Sequence, residues 1–221
     1  ARRACAELAD AWFDEPSTEL LVAGVTGTNG KTTTTFFIES ILTTAGKRAG
    51  VLGTLGYGPM DARVEASRTT PDAIELQGWL RRMADDGVEG VAMEVSSHSL
   101  VLRRPWRCAF DAVVFTNLSQ DHLDFHPDIP SYLEAKLLLF TEYAADPRKT
   151  TVGAVNLDDE FGRQILAGAT CPVLGYGLDA AAQVRALDVE ALAAGSRFTL
   201  VLPDGQAPVR LCLPGTFNVH N

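Results

Sequence analysis

The chain has 221 residues, of which 46% are hydrophobic and 21% are charged, as in an ordinary globular protein. Its formal net charge of −9 argues against a broad surface for nucleic acid or anionic membrane, because both need an excess of basic residues. The sequence has no apolar run long enough to span a bilayer and no signal-peptide pattern, so we expect a cytoplasmic protein without membrane insertion.

Apolar runs and amphipathic stretches alternate along the chain as far as Gly177. Buried strands are predicted at residues 20–24, 50–55, 90–95, 111–116, 151–156 and 173–176. Helices are predicted at residues 4–13, 31–46, 72–86, 130–143 and 158–167, with Pro71 in the first turn of the third. Residues 57–66 could form a hairpin. This alternation predicts an α/β fold with a mostly parallel, doubly wound sheet and right-handed crossovers.

The pattern changes after Gly177. Strand-like stretches follow at residues 184–189, 198–202 and 209–213, with a turn at residues 203–205 between the last two. We expect a small antiparallel extension of the same sheet near the C-terminus, so that residues 1–221 form a single domain.

A glycine-rich loop, GVTGTNGKTT, runs from Gly24 to Thr33, between the first predicted strand and the helix after it. Backbone N–H groups in such a loop can converge on an anion, and the helix N-terminus adds partial positive charge. We therefore predict that it binds the triphosphate of ATP. Lys31 would contact the terminal phosphates, and the hydroxyl of Thr32 would ligate Mg²⁺. The strict phosphate-loop pattern requires glycine where this chain has Val25, so we expect Gly24 and Gly27 to share the turn. The predicted ATP-binding residues of the loop are Gly27, Thr28, Asn29, Gly30, Lys31, Thr32 and Thr33.

The residues alone leave Glu94, a cluster of four residues and Lys136 open to more than one interpretation. Glu94 ends a buried strand, where ligands of open α/β sheets bind, and is a candidate magnesium ligand or a solvated carboxylate. A cluster of Asp121, His122, Asp124 and His126 could bind metal, but the two aspartates could equally cap helices. Lys136 adjoins the apolar face of its predicted helix, which favours a snorkelling surface lysine. The four scattered cysteines predict reduced thiols and no zinc site.

Six stretches, which span most of the chain, resemble the central ATP-binding domain of the Mur ligases of peptidoglycan synthesis. They are GVTGTNGKTT, TTPD from Thr69, MEVSSH from Met93, TNLSQDHLDFH from Thr116, YLEAK from Tyr132 and GTFNVHN from Gly215. TTPD and EVSSH are most similar to the branch that adds the third residue to UDP-N-acetylmuramoyl-L-alanyl-D-glutamate.

The resemblance implies roles for individual residues. Thr32 and Glu94 would serve Mg²⁺, His122 would ligate a second Mg²⁺, and Lys136 would be carbamylated by CO2. The catalytic set would then be Lys31, Glu94, His122 and Lys136. The muramoyl-peptide substrate would contact Thr69, Thr70, Ser96 and Arg104, and Asn218 and Asn221 would lie near the nucleotide.

The resemblance also implies the reaction: ATP converts the D-glutamate carboxylate to an acyl phosphate, which the amine of the third amino acid attacks. The substrates would be the UDP-linked dipeptide and an amino acid, either lysine, diaminopimelate or ornithine, and a monomer is expected. The UDP-binding and amino-acid-binding domains of the family are not recognisable here. Two alternatives stay open: a related ligase, such as folylpolyglutamate or cyanophycin synthetase, and an ATP-binding module that is inactive alone.

Overall fold

The computed structural model describes residues 1–121 and 124–221, and within these ranges the strands form one sheet of ten. The strands are β1 (Leu21–Thr26), β2 (Ala49–Gly53), β3 (Gly56–Pro59), β4 (Gly90–Glu94), β5 (Ala112–Phe115), β6 (Val152–Asn156), β7 (Val173–Gly177), β8 (Val184–Leu192), β9 (Gly195–Leu202) and β10 (Gly205–Leu211). The helices are α1 (Arg2–Trp12), α2 (Lys31–Thr44), α3 (Ala73–Asp85), α4 (Ser97–Val101), α5 (Ile129–Leu137) and α6 (Glu160–Gly168). Short 3₁₀ turns lie at Pro16–Thr18, Met60–Ala62, Leu138–Phe140 and Thr216–Val219.

The sheet has the order β10-β9-β8-β7-β6-β5-β1-β4-β2-β3. All pairings from β2 to β7 through the centre are parallel, whereas β8, β9 and β10 pair antiparallel with one another. β8 joins the parallel part by a short parallel pairing with β7. The predicted doubly wound sheet with an antiparallel extension near the C-terminus is therefore confirmed.

Helices cover both faces of the central strands. Leu42 of α2 packs where β4 has Gly90, and Met83 of α3 packs where β2 has Gly50. Gly90 is in register with Ala49, the residue before Gly50, so these two glycines point to opposite faces of the sheet. Strands that are buried on both faces read as the continuous apolar runs from which they were predicted.

Three local predictions were wrong. Pro71 does not lie in the first turn of α3, because Asp72 is the cap and its carboxylate accepts from Glu75 N at 3.1 Å. The hairpin expected within residues 57–66 amounts to one isolated antiparallel bridge, between Tyr57 and Val64. The strand β3 forms its ladder with β2 instead. The helix predicted to reach residue 143 ends at Leu137 and tightens into a 3₁₀ turn.

Candidate functional site

The glycine-rich loop, Glu94 and Asn117 lie at the carboxyl ends of three neighbouring strands. β1 lies between β4 and β5 at the centre of the sheet. The glycine-rich loop follows β1, Glu94 ends β4, and Asn117 follows β5. Parallel strands bring these ends to one edge of the sheet, which is where ligands bind in open α/β folds.

The turn of the loop is made by Gly27 and Gly30. Gly27 has φ 151°, and a Cβ there would lie 1.8 Å from the hydroxyl oxygen of Thr116. Gly30, with φ 87°, caps α2 in a left-handed conformation that favours glycine. The expectation that Gly24 shares the turn was wrong: Gly24 lies inside β1 and packs against the ring of Phe110.

The end of β5 holds the loop from the side. Asn29 N donates to the side-chain oxygen of Asn117 at 3.0 Å, and the amide of Asn117 donates back to Asn29 O at 3.0 Å. Thr116 Oγ1 also donates to Asn29 O, at 2.6 Å. Thr28 is nearly buried, and its hydroxyl lies 3.1 Å from that of Tyr132. These bonds hold Thr28 and Asn29 in place, so an anion bound at the loop would meet a backbone that is already ordered.

Lys31 begins α2 and folds back over the loop. Its Nζ donates to Gly27 O at 3.0 Å and to Thr28 O at 2.9 Å. Burial lowers the pKa of Lys31, and the negative charges of Glu94 and Asp121 oppose that shift. The first turn of α2 leaves backbone N–H groups without partners in the helix, so an anion held there would have both these groups and Lys31 as donors.

Glu94 is a buried carboxylate that is held by hydroxyl and amide donors. Thr32 Oγ1 donates to Glu94 Oε1 at 2.9 Å, and Thr54 N donates to the same oxygen at 2.8 Å. Thr54 Oγ1 is 3.3 Å from Oε2. Within residues 1–121 and 124–221 no salt bridge joins Glu94 to a basic side chain. The Thr32 hydroxyl beside a carboxylate is an all-oxygen donor set, which fits the preference of Mg²⁺.

Lys136 is buried, with 1% of its surface exposed. The interpretation as a snorkelling surface lysine was therefore wrong: the buried face of α5 includes Lys136 itself. Its Nζ lies 4.3 Å from the centre of the Tyr132 ring. Burial lowers the pKa of Lys136 well below its usual value, the positive charge of Lys31 lowers it further, and Asp121 opposes the shift. The amine is thereby shifted toward its neutral, nucleophilic form.

A cleft of about 370 Å³ opens beside Lys31. Its lining comprises Lys31, Arg68, Thr69, Thr70, Ser96, His98 and Arg104, and it includes all four residues predicted to contact the substrate. Thr70 links them: its hydroxyl donates to Glu94 O at 2.8 Å and accepts from Ser96 N at 3.1 Å, and Thr70 O accepts from Arg104 at 3.1 Å. As far as the described residues show, the lining has several basic groups and no carboxylate, which suits an anionic ligand in a chain of net negative charge.

A second cavity, of about 560 Å³, lies on the other side of the loop and is lined by Asn29, Gly30, Thr33, Asn117, Asn156, Asp158, Asp159, Phe217, His220 and Asn221. The C-terminal residues reach it from the antiparallel end of the sheet. Thr34 Oγ1 donates to Asn221 O at 3.3 Å, so Asn221 lies against the start of α2. Asn218 lies behind it and accepts from Asn221 Nδ2 at 3.2 Å.

His122 and Leu123 lie outside the described residues, so the metal role of His122 stays a prediction. In the described part of the chain, no three His, Cys, Asp or Glu side chains are grouped to hold a metal ion. His126 is buried, and its Nε2 is 2.9 Å from Ser97 Oγ. The cap of α5 is Asp128, whose carboxylate accepts from Ser131 N at 2.8 Å, and not Asp121 or Asp124.

Thr54, Asn117 and Tyr132 were not assigned to the site from the sequence, although each contacts a site residue. Thr54 and Asn117 follow the carboxyl ends of β2 and β5, so the strand-end rule that selected Glu94 could have found both. Tyr132 follows no such rule, because its ring reaches Thr28 only through the packing of α5.

The sequence also led to predictions about membrane spans and about the state of the cysteines. Among residues 1–121 and 124–221, no helix combines the length and apolarity that a membrane span would require. The cysteines are unpaired, as predicted, and Cys108 is buried with a raised pKa of about 12 caused by desolvation.

Several known proteins resemble this chain. A Geobacter sulfurreducens relative named UDP-N-acetylmuramoyl-L-alanyl-D-glutamate--2,6-diaminopimelate ligase is 45% identical over 225 residues, covering 100% of this chain and 44% of the relative. A solved structure of a ligase with the same name is 30% identical, with a TM-score of 0.87, and the match covers 100% of this chain and 46% of that one. The chain thus spans less than half the length of these relatives.

A folylpolyglutamate synthase from Mycobacterium tuberculosis has a TM-score of 0.76 at 16% identity, covering 99% of this chain and 56% of that one, which shows a shared fold alone. The family model described as "Mur ligase middle domain" matches residues 25–221. That match includes all of the glycine-rich loop except Gly24, together with Glu94, Lys136 and the lining of both cavities. The chain belongs to the Mur ligase middle domain family.

Proposed function

We propose that this chain is the ATP-binding domain of an ATP-dependent ligase that activates the D-glutamate carboxylate of UDP-N-acetylmuramoyl-L-alanyl-D-glutamate. The observation that carries the proposal is the position of Lys31. It lines the basic cleft, and the loop that precedes it lines the second cavity. Phosphoryl transfer from ATP requires the nucleotide and the second substrate to meet at one place, and Lys31 lies where the two cavities would bring them together.

In the proposed reaction, a carboxylate oxygen of the substrate forms a bond to the γ-phosphorus of ATP, and the bond from that phosphorus to the bridging oxygen breaks, releasing ADP. Both reactants are anions, so their repulsion must be offset. Lys31 and the N–H groups at the start of α2 would hold the phosphates, while Thr69, Thr70, Ser96 and Arg104 would hold the substrate in the cleft. The acceptor amine then attacks the acyl carbon, and phosphate leaves as the amide forms.

Mg²⁺ bound at Thr32 and Glu94 would neutralise phosphate charge and orient the reacting groups. The support is the 2.9 Å contact between the two side chains beside Lys31. His122 as a ligand of a second Mg²⁺ is proposed from the family resemblance alone. Asn218 and Asn221 are proposed to lie along the nucleotide, because Asn221 contributes to the cavity beside Gly30.

We propose further that Lys136 carries a carbamate. A neutral amine adds to CO2 and releases a proton, so the buried position and lowered pKa of Lys136 favour the reaction. The product is an anion, and the nearby Lys31 would stabilise it. Exposure to ¹³C-labelled CO2 should give a carbamate signal in the wild type that is absent in Lys136→Ala, whereas the exposed-lysine control Lys47→Ala should retain it. A wild type without the signal contradicts the carbamate.

The relatives named above act, according to their names, on 2,6-diaminopimelate, and we propose the same acceptor amino acid here. The test of the whole proposal is phosphate release by the enzyme that contains this domain, with ATP and Mg²⁺. Release should require both the UDP-linked dipeptide and diaminopimelate, and lysine and ornithine serve as acceptor controls. Activity on a folate with glutamate, and none on the muramoyl dipeptide, would replace this function with that of a folylpolyglutamate synthase.

A further inference from the structure

Residues on either side of the short helix α4 line the basic cleft. Ser96 caps its N-terminus, where its hydroxyl accepts from Ser99 N at 3.2 Å. Arg104 follows its C-terminus and points back to Thr70 O. A helix of five residues has little stability of its own, so other elements must decide where Arg104 lies.

Leu102 and Arg103 lie between α4 and Arg104, and the second of them has an unusual backbone conformation. Arg103 has φ 58°, in the left-handed region at the end of a helix, where glycine is usual. Arg103 N donates to Leu100 O at 3.1 Å, and Arg104 N donates to Ser99 O at 2.9 Å, which together close the helix. An arginine side chain gives no conformational advantage at this position, so any contribution of Arg103 comes from the contacts of its guanidinium.

That guanidinium forms a two-pronged ion pair with Glu142. The distances are 2.5 Å from Nη1 to Oε2 and 3.2 Å from Nη2 to Oε1. The Arg103 guanidinium also lies 5.3 Å from the Trp106 ring centre and 5.9 Å from that of Tyr143. Its hydrogen bond is the largest cause of the lowered pKa of Glu142, so this carboxylate is charged at neutral pH. Paired forks and ring stacking give arginine a geometry that lysine cannot reproduce.

Glu142 belongs to the chain segment that also carries Lys136. The helix α5 continues through a 3₁₀ turn to Thr141, and the next two residues both grip the C-terminal end of α4. Tyr143 is buried, and its hydroxyl donates to Leu100 O at 2.8 Å, while Glu142 binds Arg103. The same segment therefore carries Lys136, which is near Lys31, and Glu142, which binds the residue before Arg104 of the cleft.

We propose that Arg103 and Glu142 are positioning residues, which together hold Arg104 in the cleft for the anionic substrate. Neither lines the cleft, so both act through the backbone that leads to Arg104. This inference rests on the proposed function, because the effect is defined by the affinity for the muramoyl dipeptide. Disturbing the pair should weaken binding of that substrate while leaving the nucleotide cavity unchanged.

The experiment uses the enzyme that contains this domain and measures KM for each substrate, kcat and the melting temperature. Glu142→Gln keeps the side-chain shape but removes the charge, and Arg103→Gly suits the left-handed backbone but removes the guanidinium. We expect each to raise KM for the muramoyl dipeptide by about tenfold, with kcat and KM for ATP within about twofold of the wild type. The double variant should be no worse than either single one, since both disrupt one interaction.

Arg3→Ala is the matched control. Arg3 also binds Glu142, at 3.0 Å, but it comes from α1 and its side chain is half exposed. We expect its kinetic constants to stay within about twofold of the wild type, as for most surface pairs. An unchanged dipeptide KM in both test variants would overturn the inference, as would an equal rise in KM for ATP or an equal effect of Arg3→Ala. If the wild type does not act on the muramoyl dipeptide at all, the proposed function fails first and the inference falls with it.

Discussion

The centre of the sheet and its antiparallel end differ in how deeply their strands are buried. In the central strands β1 and β4, every residue except Leu21 is buried. In β8 and β10, by contrast, all residues are at least partly exposed. Strands buried between helices have little freedom to shift, so loops at their carboxyl ends start from rigid positions. The loop, Glu94 and Asn117 all follow strands in this central part of the sheet, so their backbone starts from such positions.

The antiparallel end contributes differently, by where it returns the chain. β10 ends at Leu211, and the residues after it cross back to the second cavity, where Asn221 lies beside Gly30. The extension thus returns the chain to the cavity, whereas the closely packed contacts of the site lie at the centre of the sheet. Substitutions at the centre should be costly and similar ones in the extension tolerated.

A pair of glycines gives the largest expected contrast. In Gly27→Ala, a methyl group would meet Thr116 at a φ that alanine rarely adopts, so we expect a loss of about 3 kcal/mol in the free energy of unfolding. A Cβ at Gly205, which begins β10, meets nothing within 4 Å, so Gly205→Ala should stay within about 0.5 kcal/mol. Urea unfolding measures both, and equal losses would contradict the comparison.

Lys31→Ala tests the loop as a nucleotide site. Loss of its ammonium removes a charge-assisted contact to phosphate, so affinity for ATP with Mg²⁺ should fall by about 100-fold in calorimetry. Lys47→Ala is the control, since Lys47 lies past the far end of α2 and pairs with Glu89 on the surface. Unchanged affinity in Lys31→Ala would remove the phosphate-loop assignment.

Burial of Lys136 should make stability depend on pH. Its pKa in the folded chain lies well below the usual 10.5 of the unfolded chain, so the unfolded state binds more protons between these two values. The free energy of unfolding should therefore rise with pH through that window, by at most about 1.4 kcal/mol per pH unit from this group.

Lys136→Met should flatten the rise, while Lys31, whose pKa is lowered as well, keeps part of it. Urea unfolding at several pH values between about 7 and 10, without CO2 or metal, measures the slopes. Lys47→Met should leave the wild-type slope unchanged. A slope that Lys136→Met does not reduce would mean that Lys136 is charged when folded.

The smallest change in stability is expected for a substitution in the antiparallel extension. Arg197 and Glu190 pair across β9 and β8 at 2.7 Å, with more than half of each side chain exposed. Solvent and salt screen such pairs, so Arg197→Ala should change the melting temperature by no more than about 1 °C. A larger loss that persists in high salt would show that the extension is packed more tightly than its exposure indicates.

The periodicity of apolar residues and the position of residues at strand ends predicted the parallel strands, the glycine-rich loop and Glu94. Apolar runs marked the parallel strands because burial on both faces demands them, and the loop was placed by its strand, its glycines and its lysine. Glu94 was selected because it ends a buried strand. These are local properties, which the chain carries in its order of residues.

Other features depend on which elements pack together. Gly24 reads like part of the turn, yet the ring of Phe110 keeps it in the strand. Lys136 reads like a surface lysine, yet in the folded chain it is buried, with its Nζ 4.3 Å from the centre of the Tyr132 ring. The pairing of Arg103 with Glu142 joins residues 39 positions apart. By itself the sequence determined the elements and the chemistry at their ends, because these follow from short-range pattern. Only the tertiary structure decided burial and pairing, because both depend on groups that meet across the fold.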